Sequence, residues 1–217
     1  MNSNLQILQV ANNERRSLYF QPKDTALDYH IVLEQHAGLD LYFLQDRTTQ
    51  THFQIDLNGE NAELNIYGLA IAGGQQKIEN HILVNHNVPH CKSNQLFKYL
   101  LSDEAVGVFE GKIVVKEGAQ KTEAYQSNRN LLDGNVCHIY SKPQLEIYAD
   151  DVKCSHGMAT GQLDETALFY LRSRGIPEKE AKQMLRDAFV QDILDKIAEH
   201  NEQNIRKFKK NALPLRS

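Results

Sequence analysis

The sequence contains no apolar run close to the roughly 20 residues that a membrane-spanning helix requires, and this excludes a membrane span. The first ten residues, Met1 to Val10, also lack the basic stretch followed by a long apolar one that marks a secretory signal. We therefore expect a cytoplasmic protein that has no membrane partner.

Cysteine is scarce. The only three cysteines are Cys91, Cys137 and Cys154, and no two of them have the spacing of a CxxC motif. An odd number without paired spacing argues against a disulfide framework and against a zinc site made by this chain alone. Reduced thiols in a cytosolic protein are the expected state.

Positive charge is not in excess either, because 24 Lys and Arg residues face 28 Asp and Glu residues and the net charge is −4. A globally basic nucleic-acid binder is therefore disfavoured, and we expect no nucleic-acid partner. The GxxxxGK[ST] and GxGxxG loops that cradle phosphates and the HExxH zinc motif are all missing. The sequence thus indicates no autonomous nucleotide site.

Short segments rich in Ile, Val, Leu, Tyr and Phe, each followed by Gly, Asn or Asp, fill the first three quarters of the chain. This pattern is typical of strands joined by turns. Crossover helices between the segments are almost absent, which excludes a doubly wound sheet and leaves a sandwich, a barrel or a solenoid. The predicted strands are Tyr29–Leu33, Leu39–Leu44, His52–Leu57, Ala62–Ile66, His81–Val84, Ala105–Phe109, Lys112–Val115 and Gln144–Tyr148.

Two features favour the solenoid over the sandwich. The segments AELNIYG (Ala62 to Gly68) and AVGVFEG (Ala105 to Gly111) are alike and lie 43 residues apart, which is about two coils if one coil takes roughly 20 residues. Asparagine, which tolerates left-handed backbone and can stack its amides between coils, recurs near the expected corners. These residues are Asn58, Asn61, Asn65, Asn80, Asn85, Asn87 and Asn94.

The hydrophobic period changes after residue 163, which predicts a β domain over 1–163 and a helical domain over 164–217. Asp164 is placed to cap a first helix and Gly175 to end it. The basic segment from Arg206 to Ser217 is expected to be a frayed, solvated tail. A second helix is predicted to bury Ala181, Met184, Leu185, Ala188, Phe189, Ile193 and Ile197.

The stretch LEIYADDVKCSHG places Cys154 and His156 two residues apart on one strand face, about 7 Å from each other. Three interpretations stay open at this point. The two residues can be ordinary core or corner residues, or soft ligands for iron, an iron–sulfur cluster or zinc whose remaining ligands come from elsewhere. Least favoured is a thiol nucleophile, since neither a third orienting group nor an oxyanion-hole pattern accompanies the pair.

Longer stretches of the sequence resemble a known family. PQLEIYADDVKCSHG (Pro143 to Gly157), GQLDETALFYLRSRGI (Gly161 to Ile176) and EAYQSNRNLL (Glu123 to Leu132) are similar to the C-terminal part of the SufD branch of the SufB/SufD family. This family belongs to the SUF machinery for iron–sulfur cluster assembly. The resemblance implies a right-handed parallel β-helix followed by a small helical domain. Family members are about twice this length, so we expect a fragment or a short homologue.

The resemblance also implies partners. SufD-like subunits pair with a SufB-like paralogue through the β-helix ends, and they bind the SufC-like ATPase through the terminal helical domain. An isolated chain is expected to be able to dimerise through the same exposed coil edge. The residues that the resemblance assigns to the ATPase-facing surface are Leu168, Phe169, Tyr170, Leu171, Arg172, Arg174, Gly175 and Ile176. The alternative for Leu168, Phe169 and Leu171 is that they only pack the helices onto the β-helix.

The CSH motif of the family maps onto Cys154 and His156, which implies that these residues help to hold iron or a transient iron–sulfur cluster at the seam with the partner. No such group is expected to stay bound to the isolated chain. In LLDGNVCHIYSKP (Leu131 to Pro143), Cys137 stands where SufB-like chains carry an important cysteine. We hypothesise that Cys137 lies near the other two residues across adjacent coils, or else that it is a neutral core residue.

The resulting expectation is a non-catalytic scaffold subunit. The alternatives are a solenoid interaction module without a metal role and, with no supporting motif in the sequence, a solenoid enzyme that acts on carbohydrate.

Overall fold

The computed structural model describes residues 5–21 and 26–212, and beyond residue 198 it describes the side chains of Ile205, Phe208 and Ala212 only. Within these residues twelve strands precede two helices. The strands are β1 (Gln6–Val10), β2 (Arg15–Phe20), β3 (Ala26–Leu33), β4 (Gly38–Gln45), β5 (Thr49–Leu57), β6 (Glu63–Ala72), β7 (Lys77–His86), β8 (Lys92–Ser102), β9 (Val106–Val115), β10 (Glu123–Asp133), β11 (His138–Ile147) and β12 (Lys153–Gln162). The helices are α1 (Glu165–Ser173) and α2 (Glu178–Ala212).

The strands form two six-stranded sheets in which every described neighbour is parallel. Sheet A has the order β1-β3-β5-β7-β9-β11, and sheet B has the order β12-β10-β8-β6-β4-β2. The chain thus alternates between the sheets, and each coil adds one strand to each of them. This arrangement is a parallel β-solenoid, and it confirms the predicted fold class over the antiparallel sandwich.

The coil length that was used to favour the solenoid is wrong. Residues on adjacent coils are 23 to 32 positions apart, from Gln6 opposite Tyr29 to Val106 opposite His138. The two similar segments fall in β6 and β9, which belong to opposite sheets, so their interval of 43 residues is not a repeat of the coil.

Left-handed corners let the chain turn into successive strands of sheet B. Residues with φ between +55° and +61° come shortly before β2, β4, β6, β8 and β10, and they are Asn13, His36, Asn61, His90 and Lys121. Amides stack between coils where Asn87 Nδ2 donates to Asn58 Oδ1 at 2.7 Å and Asn94 Nδ2 donates to Asn65 Oδ1 at 3.4 Å. Asn80 departs from the predicted corner position, because it lies inside β7 and is fully buried.

Aromatic rings fill the interior between the sheets. Phe43 lies 4.9 Å from Phe53 and 6.0 Å from Phe97, measured between ring centroids, and Phe97 lies 4.9 Å from Phe109. All four rings are at most 2% exposed. Burial of such large apolar surfaces is the main source of stability for this fold.

The long helix α2 covers the outer face of sheet B. A second apolar cluster joins Leu69, Leu100 and Leu131 of the sheet to Val190, Ile193, Leu194 and Ile197 of the helix. The predicted helical face is confirmed at Ala181, Ile193 and Ile197, but it is wrong at Met184 and Ala188, which are exposed. The side chains of α2 that contact the sheet therefore differ in part from those that the hydrophobic period predicted.

The same helix continues further than predicted. It extends to Ala212 and buries Phe208 against sheet B, so the expectation of a frayed tail from Arg206 onward is wrong up to that point. Residues 213–217 lie outside the described part of the chain.

A buried lysine ties α2 to the sheet. Lys98 is 4% exposed, and its Nζ donates to the carbonyl oxygen of Phe189 at 2.7 Å and to Asp192 Oδ1 at 2.5 Å. Both acceptors belong to α2, so the ammonium group fixes the position of the helix along the sheet.

Candidate functional site

Strand β12 carries the predicted thiol and imidazole, and it is the terminal strand of sheet B. In the register with β10, Cys154 is opposite Ala124 and His156 is opposite Gln126. Thr160 of the same strand accepts a hydrogen bond from the buried Asn130 at 3.1 Å. Since alternate residues of a strand share a face, Cys154 and His156 lie on the inward face together with Thr160.

Position at the end of the solenoid explains why this inward face is accessible. No further strand pairs with the outer edge of β12 among the described residues. Cys154 is half-buried against the core, whereas His156 is exposed. Burial raises the pKa of the Cys154 thiol, so the thiol is protonated at neutral pH until a metal or a positive charge approaches it.

Two side chains alone do not make a metal site. Two positions along a strand correspond to about 7 Å, which brings both groups within reach of a shared ion or cluster. In the described part of the chain, no group of three or more His, Cys, Asp and Glu residues is arranged to hold a metal ion. Any further ligands must therefore come from outside these residues.

The structure does not bring Cys137 to the other two residues. Cys137 precedes β11, is 3% exposed, and donates hydrogen bonds to the carbonyl oxygens of Leu101 at 3.4 Å and Gly134 at 3.6 Å. Leu101 is opposite Leu132 of β10, which is opposite Gln162 at the far end of β12. Gln162 is eight strand positions from Cys154, roughly 26 Å along β12, so Cys137 lies at the opposite end of the coil from Cys154. This separation contradicts the hypothesis that the two cysteines are neighbours across adjacent coils.

The remaining cysteine is structural. Cys91 is fully buried, its thiol donates to the carbonyl oxygen of Gly59 at 3.3 Å, and burial raises its pKa to about 11. The adjacent His90 is exposed in a left-handed turn. This pair therefore does not bind a metal together.

Two exposed aromatic side chains distinguish the first helix. The Asp164 carboxylate caps α1 by accepting from the N–H groups of Thr166 and Ala167, and Gly175, at φ +86°, ends it. Between these ends, Phe169 is 73% exposed and Tyr170 is 57% exposed. The interpretation that these side chains only pack the helices therefore does not apply to Phe169.

The other residues that the resemblance assigns to the ATPase-facing surface differ in how exposed their side chains are. Leu168 is buried, and Leu171 and Ile176 are half-buried, so these three offer less surface to a partner than Phe169 and Tyr170 do. Arg172 and Arg174 are exposed. Arg172 pairs with Glu178 at 3.4 Å, and the Arg174 guanidinium lies 5.3 Å from the Tyr170 ring centroid and donates to its hydroxyl. Aromatic and arginine side chains of this kind are typical of binding surfaces.

Sequence reasoning missed the apolar side chains at the open end of the solenoid. Tyr140 of β11 is 66% exposed and Met158 of β12 is 53% exposed. They flank a cleft of about 350 Å³ between the two terminal strands. Their position at the end of both sheets could not be read from strand alternation, which does not reveal which strand is last.

Fold and site together define a parallel β-solenoid with a helical appendage and with a thiol and an imidazole side by side on its terminal strand. Neither helix in the described ranges has an apolar stretch sufficient to cross a membrane. A family model described as "SUF system FeS cluster assembly, SufBD core domain" matches residues 1–189. The chain therefore belongs to the SufBD family, as the resemblance predicted.

Curated relatives agree with this assignment. The chain is 37% identical to the iron–sulfur cluster assembly protein SufD of Escherichia coli over 196 residues, which are 90% of this chain and 45% of that protein. It is 40% identical to an iron–sulfur cluster assembly SufBD family protein of Synechocystis over 151 residues, 70% of this chain and 33% of the relative. A SufBD family protein of Mycobacterium leprae is 37% identical over 152 residues, 66% of this chain and 39% of the relative. The chain thus spans less than half the length of these relatives.

Proposed function

We propose that this chain is a non-catalytic scaffold in SUF iron–sulfur cluster assembly and that it presents Cys154 and His156 as ligands for iron or a nascent cluster. The observation that carries the proposal is the placement of both groups on the inward face of a terminal strand, where His156 is exposed. Thiolate and imidazole are ligands that suit iron and iron–sulfur clusters. With only two ligands, the isolated chain retains the group transiently at most.

A SufB-like paralogue is the proposed partner at this end. The outer edges of β11 and β12 carry backbone N–H and C=O groups that no described strand pairs, so another strand can add to them. Tyr140 and Met158 supply apolar contact beside that edge. The partner would complete the ligand set, and a second copy of this chain can occupy the edge when the paralogue is absent.

Iron–sulfur loading of the complex with SufB-like and SufC-like partners tests the ligand role. Replacing both residues, with Cys154→Ser and His156→Ala, is expected to reduce loading at least tenfold, since removing ligands weakens a metal site by that order or more. Matched single controls are His52→Ala, an exposed histidine of β5 on an interior strand of sheet A, and Cys137→Ala, at the opposite end of the coil from Cys154. Both controls should load normally.

Normal loading in the double variant would show that Cys154 and His156 are not needed to hold the metal. The solenoid would then be an interaction module, which is the second candidate function. The open edge supports that function independently of the two ligands.

A SufC-like ATPase is the proposed partner of α1. The exposed Phe169 and the Tyr170–Arg174 pair form an apolar and cationic patch of the kind that anchors interfaces. ATP hydrolysis would belong to that partner, and this chain would transmit its movement through α2 to sheet B, to which Lys98 fixes the helix.

The variant Phe169→Ala is expected to weaken binding of the ATPase about 30-fold, because loss of a central aromatic anchor has an effect of this size. The free energy of unfolding of the chain should not change. Isothermal titration calorimetry measures the dissociation constant. Tyr140→Ala removes a similarly exposed aromatic ring from β11, outside α1, and should leave that constant unchanged. Equal affinities for the two variants would refute a role for α1 in this contact.

A further inference from the structure

Three inward-facing side chains form one row across the last strands of sheet B. Gln95 of β8 is opposite Gln126 of β10, and Gln126 is opposite His156 of β12. Both glutamines are 3% exposed, whereas His156 is exposed at the end of the row. Strands that pair in register are about 4.8 Å apart, so the imidazole is within reach of the Gln126 amide.

The amide nitrogen of Gln126 has a hydrogen-bond partner, whereas its amide oxygen has none. Its Nε2 donates to Gln95 Oε1 at 3.2 Å, while its buried Oε1 accepts no hydrogen bond. The two arms of a carboxamide diverge, so an amide whose nitrogen faces β8 turns its oxygen away from β8. On the other side of β10 lies β12. An unpaired buried acceptor is unfavourable, and a donor is therefore expected beside it.

The neighbouring interior groups do not provide that donor. The closely packed Gly111 has no side chain, and a Cβ there would lie 2.4 Å from Gln126 Nε2. Asn128 donates to the carbonyl oxygen of Phe97 at 3.4 Å. Gln95 Nε2 is itself unpaired, and turning both amides over would make Gln95 the donor and direct the Gln126 NH₂ group toward β12. In both arrangements one polar arm of Gln126 is left for His156.

We propose that Gln126 is a positioning residue for His156, and that its Oε1 accepts one imidazole N–H. This inference rests on the proposed ligand role of His156 and extends it. The hydrogen bond fixes which ring nitrogen carries the proton, so the other nitrogen keeps its lone pair and faces the open edge where iron would bind. Histidines that bind metals are commonly oriented by such an acceptor on the second nitrogen.

Nitrogen-15 NMR of the imidazoles of the 217-residue chain, at a pH where they are neutral, tests the proposal without metal. One tautomer of His156 is expected in roughly tenfold excess, which is the preference that a single net hydrogen bond produces. Gln126→Met removes the acceptor and should reduce this excess to the tautomer ratio of the exposed His138. Gln126→Glu keeps an acceptor and should preserve the excess. Gln144→Met, on the exposed face of β11, is the matched control and should change nothing.

Each outcome is decisive. The same tautomer ratio in the wild-type chain and Gln126→Met overturns the proposal, and so does a reversed preference in Gln126→Glu, which would show that the amide donates instead. If Gln126→Met folds poorly, the comparison of the wild-type chain with Gln126→Glu still tests the proposal, provided that the circular dichroism of Gln126→Glu is near native. In the complex, Gln126→Met is expected to lower iron affinity about 10- to 100-fold. If His156→Ala loads normally while the tautomer still depends on Gln126, the ligand role fails and the positioning role stands.

Discussion

Replacing Phe97 with alanine is expected to lower the free energy of unfolding by about 3–5 kcal/mol, the usual loss for a large aromatic ring removed from a core. Phe97 is 1% exposed and lies between Phe43 and Phe109, so the cavity would open in the middle of the aromatic stack. Each coil is stabilised mainly by contacts with its neighbours, and loss of this ring weakens the contacts between adjacent coils. Urea unfolding followed by far-UV circular dichroism measures the change.

A size exchange provides the sharper test. Gly68 is opposite Phe97 on β6, and a Cβ at Gly68 would lie 2.3 Å from the Phe97 ring. Gly68→Ala should therefore destabilise the wild-type chain but be tolerated in Phe97→Ala, where the ring is gone. Phe169→Ala is the control, because this ring is 73% exposed and its loss should change stability by less than about 0.5 kcal/mol. Additive effects of the two core substitutions would contradict the packing described here.

The sequence predicted the fold class, but several strands could not be recognised from their pattern. β8 and β10 were not predicted, and polar residues occupy inward positions at the start of β8 and along β10. Examples are Gln95 in β8 and Gln126 and Asn130 in β10, all buried. Alternation of apolar and polar residues identifies a strand only when its inward side chains are apolar. Inside a solenoid, polar side chains can instead bond to the coils above and below, and a single sequence does not show these bonds.

Local geometry at the site was predictable, whereas contacts between coils were not. Strand alternation correctly placed Cys154 and His156 on one face, because it depends only on two residues within β12. The position of Cys137 depends on where β10 ends and β11 begins, which the sequence pattern did not reveal. In the structure Cys137 lies beside Leu101, at the end of the coil opposite to Cys154. The pairing of Gln126 with His156 depends on the register between coils, which only the structure provides.

Acidification is expected to destabilise the protein through one buried histidine. His86 is fully buried at the end of β7, its Nε2 is 2.8 Å from Ser93 Oγ, and its Nδ1 has no partner. Burial lowers its pKa from an ordinary 6.5 to about 4. Its register partners in sheet A are Leu57 and Val115, neither of which can compensate a positive charge.

The sign of the effect follows from the direction of this shift. Below pH 6.5 the unfolded chain binds a proton at His86 that the folded chain refuses until about pH 4. The stability contributed by the neutral imidazole is therefore complete above pH 6.5 and is lost as the pH falls toward 4, by up to about 3 kcal/mol. His86→Gln removes the titrating group, and the difference between its stability and that of the wild-type chain, measured by urea unfolding from pH 7 to pH 4, isolates this contribution from other groups. His138→Gln, which removes an exposed imidazole, should follow the wild-type curve. A wild-type curve parallel to that of His86→Gln would mean that His86 is protonated in the folded state at a pH near its ordinary value, and that water or a charge reaches the end of β7.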